Sequence, residues 1–178
     1  TGPVEAVSCD DAEAVLVTLG SIAGLARESV ARLREQGKRV GLLRIRYMRP
    51  FPAKLIAEAL AGAAAVGVLE KDISFGAEGT VFTNVNSALQ QAGCMVPTFN
   101  FVGGLGGDDI TSAQMDAMFD ALLDSVGERG RDDAAAGRSC DDASTGQGVG
   151  LGRVSFLGID FPVASQSACG DDCEEGAR

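Results

Sequence analysis

The sequence predicts an α/β fold: a three-layer sandwich with a mostly parallel sheet between two layers of helices. Two observations carry this. Short β-branched apolar runs alternate with amphipathic stretches as far as Glu128, the rhythm of βα units. And 178 residues that are 46% hydrophobic suffice to bury a substantial core.

The first unit is the plainest. Residues 14–19 (Ala-Val-Leu-Val-Thr-Leu) form a run apolar on both faces, as a buried parallel strand requires. Gly20-Ser21 breaks it, and Ser21 is placed to cap a helix whose Ile22, Leu25, Ala26, Val30 and Leu33 follow helical spacing. Arg32 and Arg34 suit the last turns of that helix, and Gly37 can end it. A second strand spans Arg39 to Tyr47, with Arg44 and Arg46 on one face near its carboxyl end. Arg49-Pro50-Phe51-Pro52 stops it, and Pro52 suits the first turn of a helix through Leu60. Ala64 to Glu70 reads as the third strand, and a helix carrying Val81, Val85, Ala88 and Leu89 ends near Gly93. The fourth strand covers Met95 to Val102, where Pro97 implies an edge position or a late entry into the sheet. After Gly103-Gly104-Leu105-Gly106-Gly107, Thr111 caps a last helix bearing Met115, Met118, Phe119, Leu122 and Leu123. Four strands alternating with four helices imply helices on both faces and right-handed crossovers.

Beyond Glu128 the texture changes. Residues 1–128 make up the expected α/β domain, and 129–178 a Gly- and Asp-rich tail with linker composition from Arg131 to Gly152. A candidate short strand at 153–161 interrupts the tail; it either adds to the sheet or docks on a partner.

Composition excludes several function classes. Net charge is −10, divided equally as −5 over residues 1–126 and −5 over 127–178, which disfavours nucleic-acid partners. Apolar runs fall far short of the roughly 20 residues needed to span a bilayer, and no secretory signal opens the chain. A soluble, cytoplasmic chain with no membrane partner is expected, and its Thr1 start suggests a processed or subcloned piece. Five scattered cysteines without a secretory context argue against a disulfide framework. Cys169 and Cys173 are the only close pair, and they read as ordinary thiols because no histidine is present to complete a metal site. Missing histidine also removes the usual general base and nucleophile partner, and iron–sulfur cysteine spacing is absent. Glu70 and Asp72 flank Lys71 at a strand end and read as a surface ion-pair cluster.

The glycine loop at 103–107 could bring backbone amides to a small anion or nucleotide. Its spacing matches neither the dinucleotide fingerprint nor the P-loop, and Asp108 and Asp109 oppose a phosphate. A tight turn packed on a neighbouring domain is the plainer reading. Arg44, Arg46 and Arg49 could likewise meet an anion, or be consumed by salt bridges.

Taken in order, Gly20-Ser21, Arg49-Pro50-Phe51-Pro52, Asp72-Ile73-Ser74-Phe75-Gly76 and Gly103-Gly104-Leu105-Gly106-Gly107-x-Asp109-Ile110-Thr111 form a series that resembles the alpha chain of 2-oxoacid:ferredoxin oxidoreductases. The likeness covers about Glu5 to Ser125 and is greatest to the pyruvate enzyme. The family has Arg where this chain has Asp108. The resemblance implies a fold similar to the C-terminal domain of transketolase, with about five mostly parallel strands. It implies a parent enzyme converting pyruvate, coenzyme A and oxidised ferredoxin or flavodoxin to acetyl-CoA, carbon dioxide and the reduced carrier; a branched-chain or transketolase-like thiamine enzyme is the alternative. Thiamine diphosphate, Mg and iron–sulfur clusters are expected elsewhere in that parent. For this domain the resemblance implies no catalytic, cofactor or metal residue, only an assembly role within an oligomer. The expected contacts with neighbouring domains or subunits are Arg49, Pro50, Phe51, Ser74, Phe75, Gly103, Gly104, Gly106, Gly107 and Asp109.

Overall fold

A computed structural model describes residues 2–74, 78–136 and 153–156. The strands are β1 (Val4–Val7), β2 (Ala14–Leu19), β3 (Val40–Ile45), β4 (Ala65–Glu70), β5 (Thr98–Val102) and β6 (Arg153–Phe156). The helices are α1 (Ala23–Glu35), α2 (Ala53–Leu60), α3 (Thr80–Gln91) and α4 (Ser112–Ala136). One sheet runs in the order β1-β3-β2-β4-β5-β6, parallel throughout except for β1, which pairs antiparallel with β3. The expected α/β sandwich is therefore present.

Strand periodicity divides the core in two. On one face Ala14, Leu16, Val40 and Leu42 pack against Ala26, Val30 and Leu33 of α1 and Met115, Phe119 and Leu122 of α4. On the other, Val15, Val17, Leu43, Ile45, Val66 and Val68 meet Ile56 and Leu60 of α2 and Val81, Val85 and Leu89 of α3. Both faces are covered, which is why β2 and β4 read as continuous apolar runs. Gly67 marks a close approach within the core: a Cβ there would lie 2.8 Å from the Phe101 ring and 2.9 Å from Leu122.

Several local expectations change. Ser21 does not cap α1; it sits in a 3₁₀ turn over Gly20–Ile22, and Ile22 precedes the helix without a side-chain cap. Thr111 does cap α4, forming a reciprocal box in which its Oγ1 accepts from the Gln114 amide at 3.2 Å while its own amide donates to Gln114 Oε1 at 2.9 Å. Pro97 stands just ahead of β5, so the sheet is entered late; β5 is not an edge, because β6 pairs with it. The α4 helix runs on to Ala136, through the start of the expected linker, where Ala134, Ala135 and Ala136 favour continuation and Gly137 follows. Strand β6 falls in the expected 153–161 island, whose remaining residues, like 137–152 and the Cys169–Cys173 pair, lie outside the described residues. Strand β1 was not foreseen. It adds Glu5 opposite Arg44, and Glu5 Oε1 and Oε2 accept from Arg27 and Arg46, each at 2.6 Å.

Candidate functional site

Strand order decides where a site can form. From β2 the chain passes through α1 to β3 on one side, whereas β4 lies on the other side of β2 and leads into α3 on the opposite face. The two carboxyl ends diverge and leave a crevice, the usual ligand position in open α/β sheets. Here it has a volume of about 340 Å³ and is lined by Leu19, Gly20, Ser21, Ile22, Leu69, Glu70, Lys71, Asp72 and Val81.

Glu70 forms the floor, and it is 4% exposed rather than part of a surface ion-pair cluster. It shares strand parity with Val66 and Val68, so it points at the layer containing α3. Its Oε2 accepts from the Val81 amide at 2.7 Å, and its Oε1 from the Phe82 amide at 3.2 Å and Asn100 Nδ2 at 2.7 Å. Asn100 Oδ1 accepts from the Gly79 amide at 2.9 Å. Two orphan amides at the start of α3 are thereby satisfied by a carboxylate from another element, where negative charge also suits the helix dipole. Burial pushes the Glu70 carboxyl above its ordinary range, and the three donors only partly pull it back. With both oxygens engaged by donors, Glu70 acts as a brace for the start of α3. Gly79 is required beside it, because a Cβ there would fall 2.5 Å from Oε2 and nearer still to Cδ and Oε1.

Lys71 turns away from this network. Its side chain lies across Gly104, whose Cβ would meet Cε at 2.8 Å and Nζ at 3.0 Å. Gly104, with φ of 72°, combines that close approach with a left-handed backbone, so two constraints select glycine there. The Gly103 amide donates to the Glu70 carbonyl at 3.1 Å and ties the glycine loop to the end of β4.

The residues expected to touch neighbours follow three different strands, and those among the described residues emerge at this one end of the sheet. Arg49 and Pro50, joined by a cis peptide, follow β3; Arg49 Nη1 donates to the Met48 carbonyl at 2.9 Å. Phe51 is half-buried and packs against the α2/α3 core. The Ser74 amide donates to the Glu78 carbonyl at 3.3 Å, and Phe75 lies outside the described residues. Gly103 is buried and Gly104 half-buried, while Gly106, Gly107 and Asp109 are exposed. Arg44 and Arg46 do not join Arg49, because both turn to Glu5, at 3.7 and 2.6 Å. Sequence reasoning missed the Glu70–Asn100–Gly79 network; the parity of Glu70 with Val66 and Val68 was its one local signal.

Metal chemistry finds no donor set among the described residues, where no three His, Cys, Asp or Glu converge. Cys9 is buried, its thiol donating to the Leu42 carbonyl at 3.3 Å, and burial pushes that thiol up. These residues do not fit an iron–sulfur cluster, which takes four thiolates. Among the described residues no helix is long and apolar enough to cross a membrane.

Comparison with known proteins identifies the arrangement. Residues 12–115 match the family described as pyruvate:ferredoxin oxidoreductase core domain II. The pyruvate synthase subunit PorA of Methanothermobacter thermautotrophicus is 42% identical over 117 residues, covering 66% of this chain and 30% of that protein. The ketoisovalerate oxidoreductase subunit VorA of Pyrococcus abyssi is 36% identical over 115 residues, 65% of this chain and 29% of its own length. The chain thus spans under a third of the length of these curated relatives. Among solved structures, 2-oxoglutarate:ferredoxin oxidoreductase from Magnetococcus marinus shares the fold with a TM-score of 0.54 and 18% identity, over 69% of this chain and 20% of that one. An inactive beta4 tetramer of a split-gene transketolase does so with a TM-score of 0.55 and 16% identity, over 70% and 43%.

Proposed function

The chain belongs to the pyruvate:ferredoxin oxidoreductase core domain II family, and from that premise we propose that it is a non-catalytic assembly domain of a 2-oxoacid:ferredoxin oxidoreductase. The parent reaction is the oxidation of pyruvate with coenzyme A and oxidised ferredoxin or flavodoxin to acetyl-CoA, carbon dioxide and the reduced carrier. Thiamine diphosphate, Mg and the iron–sulfur clusters belong to other domains or subunits of that enzyme, a cytoplasmic oligomer. This domain's part is to present its loops to those neighbours.

One observation carries the reading. The buried carboxylate at the crevice accepts three hydrogen bonds, two from the start of α3 and one from Asn100 of β5, so the switch point is spent on holding structure. The relatives support it from another side. Proteins named for pyruvate, ketoisovalerate and phenylglyoxylate match this region at 42, 36 and 35% identity, as expected of a region that does not choose the 2-oxoacid.

The test compares the parent enzyme with and without this segment, by pyruvate- and coenzyme A-dependent viologen reduction and by native mass. Loss of both activity and assembly is the expected result; normal assembly and turnover without the segment would overturn the reading. Arg49→Ala is the cleaner loop variant. Phe51→Ala would also thin the domain's own core, since Phe51 packs against it.

A further inference from the structure

Two independent features of the surface single out the same end of the molecule. Among the residues whose side chains are described, five large apolar ones are exposed: Leu19, Tyr47, Leu55, Ile73 and Met95. Leu19, Tyr47 and Ile73 stand at or just beyond the carboxyl ends of β2, β3 and β4, and Leu55 lies in the first turn of α2, which starts from that end; only Met95 lies at the opposite end. The second feature is charge. Ten Lys and Arg precede Gly127, and eight of them have a carboxylate within 4 Å: Arg27, Arg32, Arg34, Lys38, Arg39, Arg44, Arg46 and Lys54. Among the described residues, the two without such a partner are Arg49 and Lys71, and both stand among those exposed apolar groups.

We propose that this carboxyl-end face, centred on the crevice between β2 and β4, is where the rest of the oxidoreductase alpha subunit docks. The docking surface supplies an apolar side chain for the crevice mouth and carboxylates opposite Arg49 and Lys71. This rests on the assembly reading above. The occupant follows from length: the relatives are more than three times as long as the part this chain covers, so an alpha subunit of their kind has most of its mass left to place against this domain. The exposed Asp72, Asp108 and Asp109 border the same end, so basic groups on the incoming surface complete the match. An interface of apolar centre and charged rim is the usual anatomy of a specific contact, and charge reversal on such a rim weakens encounter and register.

The experiment measures amide hydrogen exchange in the parent oxidoreductase and in the 178-residue chain alone. Residues 19–22 and 71–74 should exchange at least tenfold more slowly in the parent. In the parent, Arg49→Glu with Lys71→Glu should lower the assembled fraction several-fold. Lys54→Glu, a reversal at an exposed lysine that already has Glu58 on its own helix, should leave it unchanged. Both tested side chains are exposed, so melting of the double variant serves as a folding control; if the variant melts early, the exchange data alone decide. Equal exchange at these residues in an intact parent overturns the docking face while leaving family assembly standing. Protection of the same residues in the chain alone, with a doubled mass, makes the occupant a second copy and overturns the proposal. Absence of this segment from any complex with pyruvate-dependent viologen reduction sinks the assembly reading first.

Discussion

Gly79→Ala tests the brace at the crevice floor. Gly79 has φ −70° and ψ 156°, an extended backbone that alanine adopts without strain. Considered alone, the change should stabilise by about 0.4–1 kcal/mol through reduced freedom of the unfolded chain. The native environment reverses the sign. The new methyl would lie 2.5 Å from Glu70 Oε2 and closer to Cδ and Oε1. Glu70 is not a free-ended side chain, because three donors fix its two oxygens at 2.7–3.2 Å. Either the carboxylate moves and loses hydrogen bonds worth about 1.5–3 kcal/mol each when one partner is charged, or α3 shifts at a cost of about 1–3 kcal/mol for overpacking. The cheaper route less the entropic gain leaves a net loss of about 0–2.6 kcal/mol, with a midpoint of roughly 1.3.

Urea unfolding of the 178-residue chain reads this as a lower midpoint at unchanged slope. Gly24→Ala is the control: it lies within α1 with no atom near its would-be Cβ, and it should stabilise by about 0.5–1 kcal/mol. The decisive comparison is Gly79→Ala in a Glu70→Ala background. There the methyl has room, and its penalty should shrink by at least about 1 kcal/mol. A Gly79→Ala cost that is the same with and without Glu70, or a net stabilisation like that of Gly24→Ala, would refute the brace.

Two further outcomes are expected. Glu70 has its folded pKa raised by burial, so its contribution to stability is complete below its unfolded pKa and is lost as pH rises through the folded value. The wild-type stability minus that of Glu70→Gln should therefore fall as pH is raised from mildly acidic to neutral, then level off; a difference that rises instead would mean the donors outweigh desolvation. Glu5 and Asp11 work in the opposite sense, because hydrogen bonds from Arg46 and from Arg34 hold their carboxyls low, and their share is lost as pH falls. Thr111→Ala removes the hydroxyl that caps α4 and should cost about 0.5–2 kcal/mol in urea unfolding.

What was legible in the sequence follows from how local each signal is. The β2–α1 unit and the α4 cap are written in contiguous residues, an apolar run followed by helical spacing and a Thr-x-x-Gln box, so a linear reading finds them. Strand β1 is four residues long, and its place depends on Glu5 meeting Arg27 and Arg46, which are 22 and 41 positions away. Nothing within Val4–Val7 announces that pairing. Ser21 has the right chemistry for a cap, yet Gly20, at φ 83°, turns the chain into a 3₁₀ turn first and moves the helix start past it. Glu70 was misjudged for a related reason. Its charged neighbours Lys71 and Asp72 are exposed, and its own burial is decided by α3 arriving from the opposite layer. At the candidate face, the Arg-Pro-Phe-Pro and glycine segments declare themselves by composition. Leu19, Tyr47, Leu55 and Ile73 are indistinguishable from core residues until the strand ends are located.

The brace and the exposed face are physically connected. A surface that must accept a partner loses less on association when its shape exists beforehand, since fewer side chains and loops have to be ordered at contact. Here the crevice wall is Val81 at the start of α3, and the Glu70 carboxylate holds its amide. On the side of β4 away from β2, the glycine loop is tied to the end of that strand through the Gly103 amide and lies under Lys71. Both restraints originate at one strand end, Glu70 and its successor. A buried carboxylate whose pKa is raised costs stability as it ionises, yet an apolar side chain at that position would leave the Val81 and Phe82 amides and Asn100 Nδ2 without their acceptor. Its presence is accounted for if what it secures is the geometry of the crevice, so that Arg49, Lys71 and the apolar rim meet the rest of the subunit already in place.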